Sequence, residues 1–292
     1  MPSVIGHECS GEIAQAGDHV IGFNVGDRVC VDPVLPCGTC YYCMEGRENA
    51  CMNRLAIGYE YDGCFSQYVR IPAEFITRGN LQHLPTNVSW SAGALAEPLA
   101  CVINGQEKLG IKPGETIVII GSGPIGIMHT MLAKASGASK VIVSEPQNAR
   151  RTAAANYGAD ILVDPVHQSL QEVVRKETDG IGADVIILAI GSPAIVNEAL
   201  ALGRKGARIS FFAGFSKGDM PAIDVNLIHY NELVLVGAAA LQRRQIKTAL
   251  SLIASGAVAL DALVTHTYAL DHIEDAFSMA ESGDAVKVVI EP

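Results

Sequence analysis

Basic residues are scarce in this 292-residue chain: 21 Lys and Arg stand against 31 Asp and Glu, a net charge of −10. That deficit argues against a nucleic-acid partner, whose phosphates attract a basic face. Long apolar runs are lacking too, none approaching the roughly 20 residues of a membrane-spanning helix, so no membrane partner is expected. The opening MPSVIGHECSG has no basic stretch followed by an apolar one, the pattern of a secretory leader. A cytoplasmic location is the expectation. Repeats and low-complexity tracts are absent. Charged residues make up only 18% and hydrophobic ones 49%, which fits a compact globular chain and not a disordered one. The length suits two domains.

What the chain does have is eight cysteines, and without a leader these fit metal binding better than disulfides. Cys37, Cys40, Cys43 and Cys51 stand in CGTCYYCMEGRENAC, a C-x2-C-x2-C-x7-C spacing. A loop this short can wrap four thiolates around one tetrahedral ion, with Zn–S near 2.3 Å. A reduced cysteine-rich loop, or two disulfides in a secreted protein, is the plainer alternative. Cys9, Cys30, Cys64 and Cys101 read as buried thiols that pack like small hydrophobes.

Two textures divide the chain. Up to about Pro85, short alternating stretches such as Gly11–Ile13, Asp27–Val31 and Phe65–Ile71 are broken by Gly, Asp and Pro, a pattern of β-strands and turns. Ser3–Glu8 reads as a strand or turn already under way. From Glu115, continuous apolar runs such as Thr116–Ile120 alternate with helical segments. Runs of that kind are strands buried on both faces, and the alternation predicts an α/β fold with a doubly wound parallel sheet. After about Ala262 a short strand, a helix and a last strand are expected to fold back onto the first domain.

Gly121-Ser122-Gly123-Pro124-Ile125-Gly126 is G-x-G-x-x-G, placed after a buried strand and opening a helix. That context gives the fingerprint its meaning: a tight turn, close backbone approach to a pyrophosphate, and a helix N-terminus aimed at it. Glu145 ends the next strand, where a carboxylate accepts from ribose hydroxyls and repels a 2′-phosphate. This favours NAD. Arg150, a further cofactor-binding candidate, and Arg151 sit close enough to keep NADP open.

His7 and Glu8 are a second metal candidate. Successive strand side chains point oppositely, so both reach one ion only if the backbone bends, which Gly6 would permit. Glu97 lies between apolar neighbours in Leu95-Ala96-Glu97-Pro98-Leu99. A carboxylate buried there needs a partner, and a metal would serve. The remaining histidines have no ligand-like spacing and read as surface or satisfied core residues.

Taken in order, Gly6-His7-Glu8, Gly26-Asp27-Arg28-Val29, the cysteine lobe, Gly63-x-Phe65-x-x-Tyr68, Glu97-Pro98 and the glycine turn resemble the zinc-containing medium-chain dehydrogenase/reductase family. Glu97-Pro98-Leu99 is most similar to its polyol and sugar-alcohol-phosphate branch, with threonine dehydrogenases nearby. The resemblance implies a GroES-like catalytic domain (1–100 with 258–292, structural zinc lobe at 37–51) and a Rossmann NAD-binding domain (101–257). It implies a second zinc, held by His7 with Glu8 or Glu97, that polarises a secondary alcohol whose hydride passes to NAD. It also implies a small-molecule alcohol substrate and a homodimer or homotetramer, for which the apolar run Leu233–Val236 offers an edge.

Relatives carry a segment ahead of Gly-His-Glu with a first catalytic cysteine and a Ser or Thr of a proton relay. The expectation is therefore an N-terminally incomplete β domain, the product of a truncated or mis-started gene. The catalytic zinc would then have only His7, Glu8 and Glu97, with Cys9 or Cys101 as substitutes. A catalytically silent zinc- and nucleotide-binding remnant is the alternative function, and a threonine-type amino-alcohol dehydrogenase another.

Overall fold

The computed structural model describes residues 4–292, which fall into two compact units. One comprises the chain up to Ile103 together with Ala240–Pro292, the other Asn104–Ala239. Ser3 lies outside the described residues.

The first unit begins with short strands: β1 (Ser10–Glu12), β2 (Arg28–Val31), β3 (Val34–Leu35), β4 (Leu55–Ala56) and β5 (Leu81–His83). β2 is the centre of an antiparallel trio, pairing β1 and β5, while β3 pairs β4. Val29, Val31, Leu35, Ile57, Phe75 and Leu81 are buried together beneath them. Helix α1 (Tyr41–Met44) lies in the cysteine loop, and α2 (Ala73–Thr77) delivers Phe75. Next comes α3 (Trp90–Ala94), capped by Ser89, whose hydroxyl accepts from the Ala92 N–H at 3.0 Å. It is followed at once by α4 (Ala96–Leu109). The Arg28 side chain donates to the Pro85, Thr86 and Val88 carbonyls and stacks 4.2 Å from the Trp90 ring. It thereby fixes the approach to α3.

One expected strand is not there. Phe65–Ile71 alternates as a strand should but forms no ladder, and Tyr68 is 75% exposed. A strand is defined by partners, and the partners here are used differently. The N–H groups of Gly63, Cys64 and Phe65 donate to the carbonyls of Val4, Gly6 and Ile5 in an irregular zip. Val4–Glu8 is accordingly tied to that segment without forming a ladder.

The second unit alternates strictly. Its elements are β6 (Thr116–Ile120), α5 (Pro124–Ala135), β7 (Lys140–Ser144), α6 (Asn148–Ala155), β8 (Ile161–Val163), α7 (Leu170–Glu177), β9 (Ala183–Leu188), α8 (Val196–Leu202), β10 (Gly203–Phe211), α9 (Val225–Asn231) and β11 (Val234–Gly237). All six strands are parallel in the order β11-β10-β9-β6-β7-β8. The apolar runs follow from this layering. Ile117, Ile119, Val141 and Val143 enter the core on one face, and Val118, Ile120, Ile142 and Ile186 enter the other. The chain runs outward from β6 in both directions, and the ends of strands at such a reversal are where α/β sheets bind ligands.

The chain then returns to the first unit with α10 (Arg243–Ala254), β12 (Val264–Ala269), α11 (Ile273–Ser282) and β13 (Lys287–Glu291), β12 and β13 being parallel. The compact second unit ends at Ala239, ahead of α10. Contacts of α10 give the reason. Arg243 pairs with Glu48, Gln242 bonds Asn49 at 3.4 Å, and the Ala254 carbonyl accepts from Asn87.

Candidate metal centres and dinucleotide turn

Four sulfurs meet in the loop around α1: those of Cys37, Cys40, Cys43 and Cys51 all lie within 4.8 Å of one another. Cys40 is 3.5 Å from Cys43 and 3.9 Å from Cys51. Ligands at about 2.3 Å from one tetrahedral ion stand ~3.8 Å apart, so the cluster is already at the right size. Main-chain donors surround it, and the N–H groups of Cys37 and Asn53 reach the Cys51 sulfur at 3.2 and 3.4 Å. Thr39 and Cys40 N–H groups pull the Cys37 thiol down to about 6, and those of Met52 and Cys43 lower Cys40. Desolvation pushes Cys43 up to about 12. Zinc takes thiolates, and two of the four thiols are disposed to ionise. The donor set fits zinc.

His7, Glu8 and Glu97 form the second group, with one ligand atom from each within 4.8 Å of the others. The bend that lets neighbours His7 and Glu8 face the same point is at Gly6, whose φ is +95°. A side chain there would be strained, and its Cβ would press on the Phe65 ring at 3.0 Å. Glu97 arrives from the first turn of α4, and Pro98 suits that turn because its missing N–H is not needed. The Glu97 carboxyl is 6% exposed. Burial, then the charges of Glu8 and Asp32, push it up to about 8. An imidazole and two carboxylates, one of them buried beside like charge, are a donor set that accepts a divalent cation.

Neither proposed substitute ligand joins this group. Cys9 is turned to Cys64, their sulfurs 2.6 Å apart. Cys101 only touches the Glu97 carboxylate, at 3.7 Å. Of the four thiols expected to be buried and to pack like small hydrophobes, only Cys30 is enclosed; Cys9, Cys64 and Cys101 are partly buried, and Cys9 and Cys64 pack against the core of the first unit. The sequence also missed Lys287, whose Nζ donates to Glu8 Oε2 at 2.5 Å, and Asp32, which burial pushes up to about 7. Nothing local marks either residue. His129 departs from the bland reading too: it is fully buried against Gln106 and Phe212, and its Nε2 has no partner among the described residues.

In the second unit the six-residue turn joins β6 to α5. Gly121 has φ +98°, and a Cβ there would strike the Ile190 side chain; one on Gly126 would strike the Gly121 carbonyl. Gly123 is different. It precedes Pro124 as the helix cap, and a Cβ on it would meet nothing within 4 Å. This is the open place where a diphosphate can approach bare backbone, with the first-turn N–H groups of Ile125 and Gly126 behind it, Ile127 being the first to bond within the helix, to the Gly123 carbonyl. Glu145 accepts from the Ser122 N–H at 2.8 Å and the Gln147 N–H at 2.9 Å. A carboxylate has about four acceptor positions, so two remain for hydroxyls. Arg151 is committed elsewhere, to Asp164 at 3.0 Å and to the Glu145 and Pro146 carbonyls. Arg150 lies on α6, and its carbonyl accepts from the Ser122 hydroxyl at 3.3 Å. The residues fit a dinucleotide.

The alcohol dehydrogenase GroES-like domain family matches residues 1–81, and the zinc-binding dehydrogenase family matches residues 124–255. A sorbitol dehydrogenase of Halalkalibacterium halodurans is 34% identical, the match spanning 100% of this chain and 84% of that protein. The chain belongs to the zinc-binding dehydrogenase family. An L-threonine 3-dehydrogenase of Pyrococcus furiosus is 33% identical across 99% of this chain and 81% of its own length. Among solved structures, a zinc-binding dehydrogenase of Sinorhizobium meliloti bound to NADP matches with a TM-score of 0.92. It is 32% identical, covering 100% of this chain and 85% of that one. This dehydrogenase thus combines a GroES-like β domain with a Rossmann domain, as the ordered motifs imply.

Proposed function

We propose that this dehydrogenase oxidises a secondary alcohol of a polyol or sugar-alcohol phosphate and passes the hydride to NAD. The observation that carries the reading is the convergence of His7, Glu8 and the buried Glu97 on one point. In this reading Cys37, Cys40, Cys43 and Cys51 hold the structural zinc, and His7, Glu8 and Glu97 hold the catalytic one. When bound, zinc supplies a Lewis acid that lowers the pKa of the substrate hydroxyl, and the nicotinamide accepts the hydride.

The chain's own residues do the rest. Glu8 brings negative charge that draws the cation in, balanced by Lys287 while no cation is there, and Glu97, raised to about 8, gives up its proton to the cation's field. Gly121, Gly123, Pro124, Ile125 and Gly126 shape the diphosphate seat, while Glu145 presents its free acceptor positions to a ribose. Arg151 is tied to Asp164, which supports NAD over NADP. Pairing of two copies along β11, the open edge of the sheet with Val234 52% exposed, belongs to the same reading.

The test is NAD and NADP reduction by zinc-loaded protein with sorbitol, a pentitol phosphate and threonine. Turnover with a polyol and NAD is expected. Glu97→Gln is expected to fold, to lose one of two zincs, and to lose at least ~100-fold in turnover, since even outer-shell partners of a metal contribute ~10–100-fold. A folded, two-zinc protein that turns over no alcohol would sink the proposal. Threonine as the sole substrate would move it to amino alcohols.

A further inference from the structure

We propose that Cys9 and Cys64 are a redox-active pair that closes to a reversible disulfide, a covalent modification site beside His7 and Glu8. Their sulfurs are 2.6 Å apart, although the residues are 55 positions apart in sequence. The cysteines of the metal loop stand 3.5 and 3.9 Å apart, near the ~3.8 Å edge of a tetrahedral thiolate site. A separation of 2.6 Å is too short for two ligands of one ion. It is about 0.6 Å longer than the ~2.05 Å of a disulfide.

The approach is imposed by the main chain. The Cys64 N–H donates to the Gly6 carbonyl at 3.0 Å, inside the zip of 63–65 against 4–6, and the Cys9 carbonyl accepts from Val31 at 3.4 Å. Each backbone is therefore anchored by groups other than the two thiols, and closing the bond shortens the sulfur separation by about 0.6 Å. The third thiol nearby, Cys30, is fully buried and donates to the Gly93 carbonyl at 3.2 Å. It is no competitor. Cys9 and Cys64 are part-exposed and line an open groove of the first unit with Ile13, Phe23 and Val69, so a small oxidant reaches them.

The oxidant is a low-molecular-weight disulfide. One cysteine thiolate attacks a sulfur of that disulfide, forming a mixed disulfide and releasing one small thiol. The second cysteine then displaces the other small thiol. Two electrons pass from the cysteine pair to the oxidant, and the two cysteine protons leave with the two released thiols. In a reducing compartment such a bond is transient and responsive. Closed, it ties the segment bearing His7 and Glu8 to the turn at 63–65.

Zinc-loaded protein, its metal loop thus occupied, is equilibrated with oxidised glutathione, alkylated and digested without reduction. A peptide joining Cys9 to Cys64, absent after reduction and absent in Cys64→Ser, is the expected result. In that variant Cys9 is expected to alkylate or carry one glutathione, with zinc content and circular dichroism checking its fold. Three outcomes overturn the proposal in the wild-type digest alone: both cysteines still alkylatable, each glutathionylated without a link, or Cys9 linked to Cys30.

Discussion

Two donor sets in one unit are built in opposite ways. Cys37 to Cys51 span fifteen residues of a single loop, whereas His7 and Glu97 are 90 residues apart on different segments. The loop surrounds its sulfurs with main-chain N–H groups and leaves most of them part-exposed. The second set does the reverse, burying Glu97 beside Glu8 and Asp32. A site closed by local chain stores its information in spacing. A site closed by the fold also carries an electrostatic cost, because carboxylates taken out of water side by side ionise reluctantly until a cation arrives.

The largest effect should come from breaking the local set. Structural zinc contributes ~10–16 kcal/mol in isolated fingers, and Cys40→Ala is expected to remove about 5 kcal/mol of stability with one zinc per chain. Urea melts and metal analysis read both. Turnover per folded molecule should survive, and loss of both zincs together would mean that the sites are not independent.

A smaller effect with a definite pH sign belongs to Asp32. Burial raises its carboxyl to about 7 in the folded chain, above its unfolded value near 4. A raised acid costs stability progressively as pH climbs from about 4 to about 7, and the cost is then constant. Asp32→Asn keeps an acceptor for the Val34 N–H and removes that cost. The zinc-free variant is therefore expected to exceed wild type at pH 8 by up to ~4 kcal/mol, with the gain vanishing near pH 4. Equal pH slopes for the two proteins would contradict this. Because Asp32 also adds to the negative field at Glu97, the variant should hold the second zinc less tightly and leave the loop zinc unchanged.

The smallest expected change is at Lys287. Its ammonium bonds Glu8 and competes with a cation there. Lys287→Met should tighten zinc at the His7 set by roughly 5-fold, about 1 kcal/mol, the upper end for a part-exposed pair. Competition against a chelator measures it, and the cysteine loop should not respond.

How much of this was readable in advance follows from sequence separation. The cysteine loop, the glycine turn and the alternating second unit were legible because each is specified within a few residues or by a period. Glu97 was found through its apolar neighbours, an indirect sign of burial. Lys287 was not found, being 279 positions from Glu8, and no pattern links them. The Phe65–Ile71 stretch misled because alternation reports a face to bury, whereas a strand also needs a partner edge. For Glu145 the chain position was readable but its bonds to Ser122 and Gln147 were not.

By itself the sequence determined the layering of the second unit, the place of the glycine turn between β6 and α5, and the four-cysteine loop. Periodicity, glycine stereochemistry and short-range ligand spacing are local physics, and they act before the chain is folded. Only the tertiary structure decided which charges face Glu97, that Lys287 answers Glu8, and that Cys9 meets Cys64. Those contacts depend on burial and on the approach of distant segments, and both arise from packing.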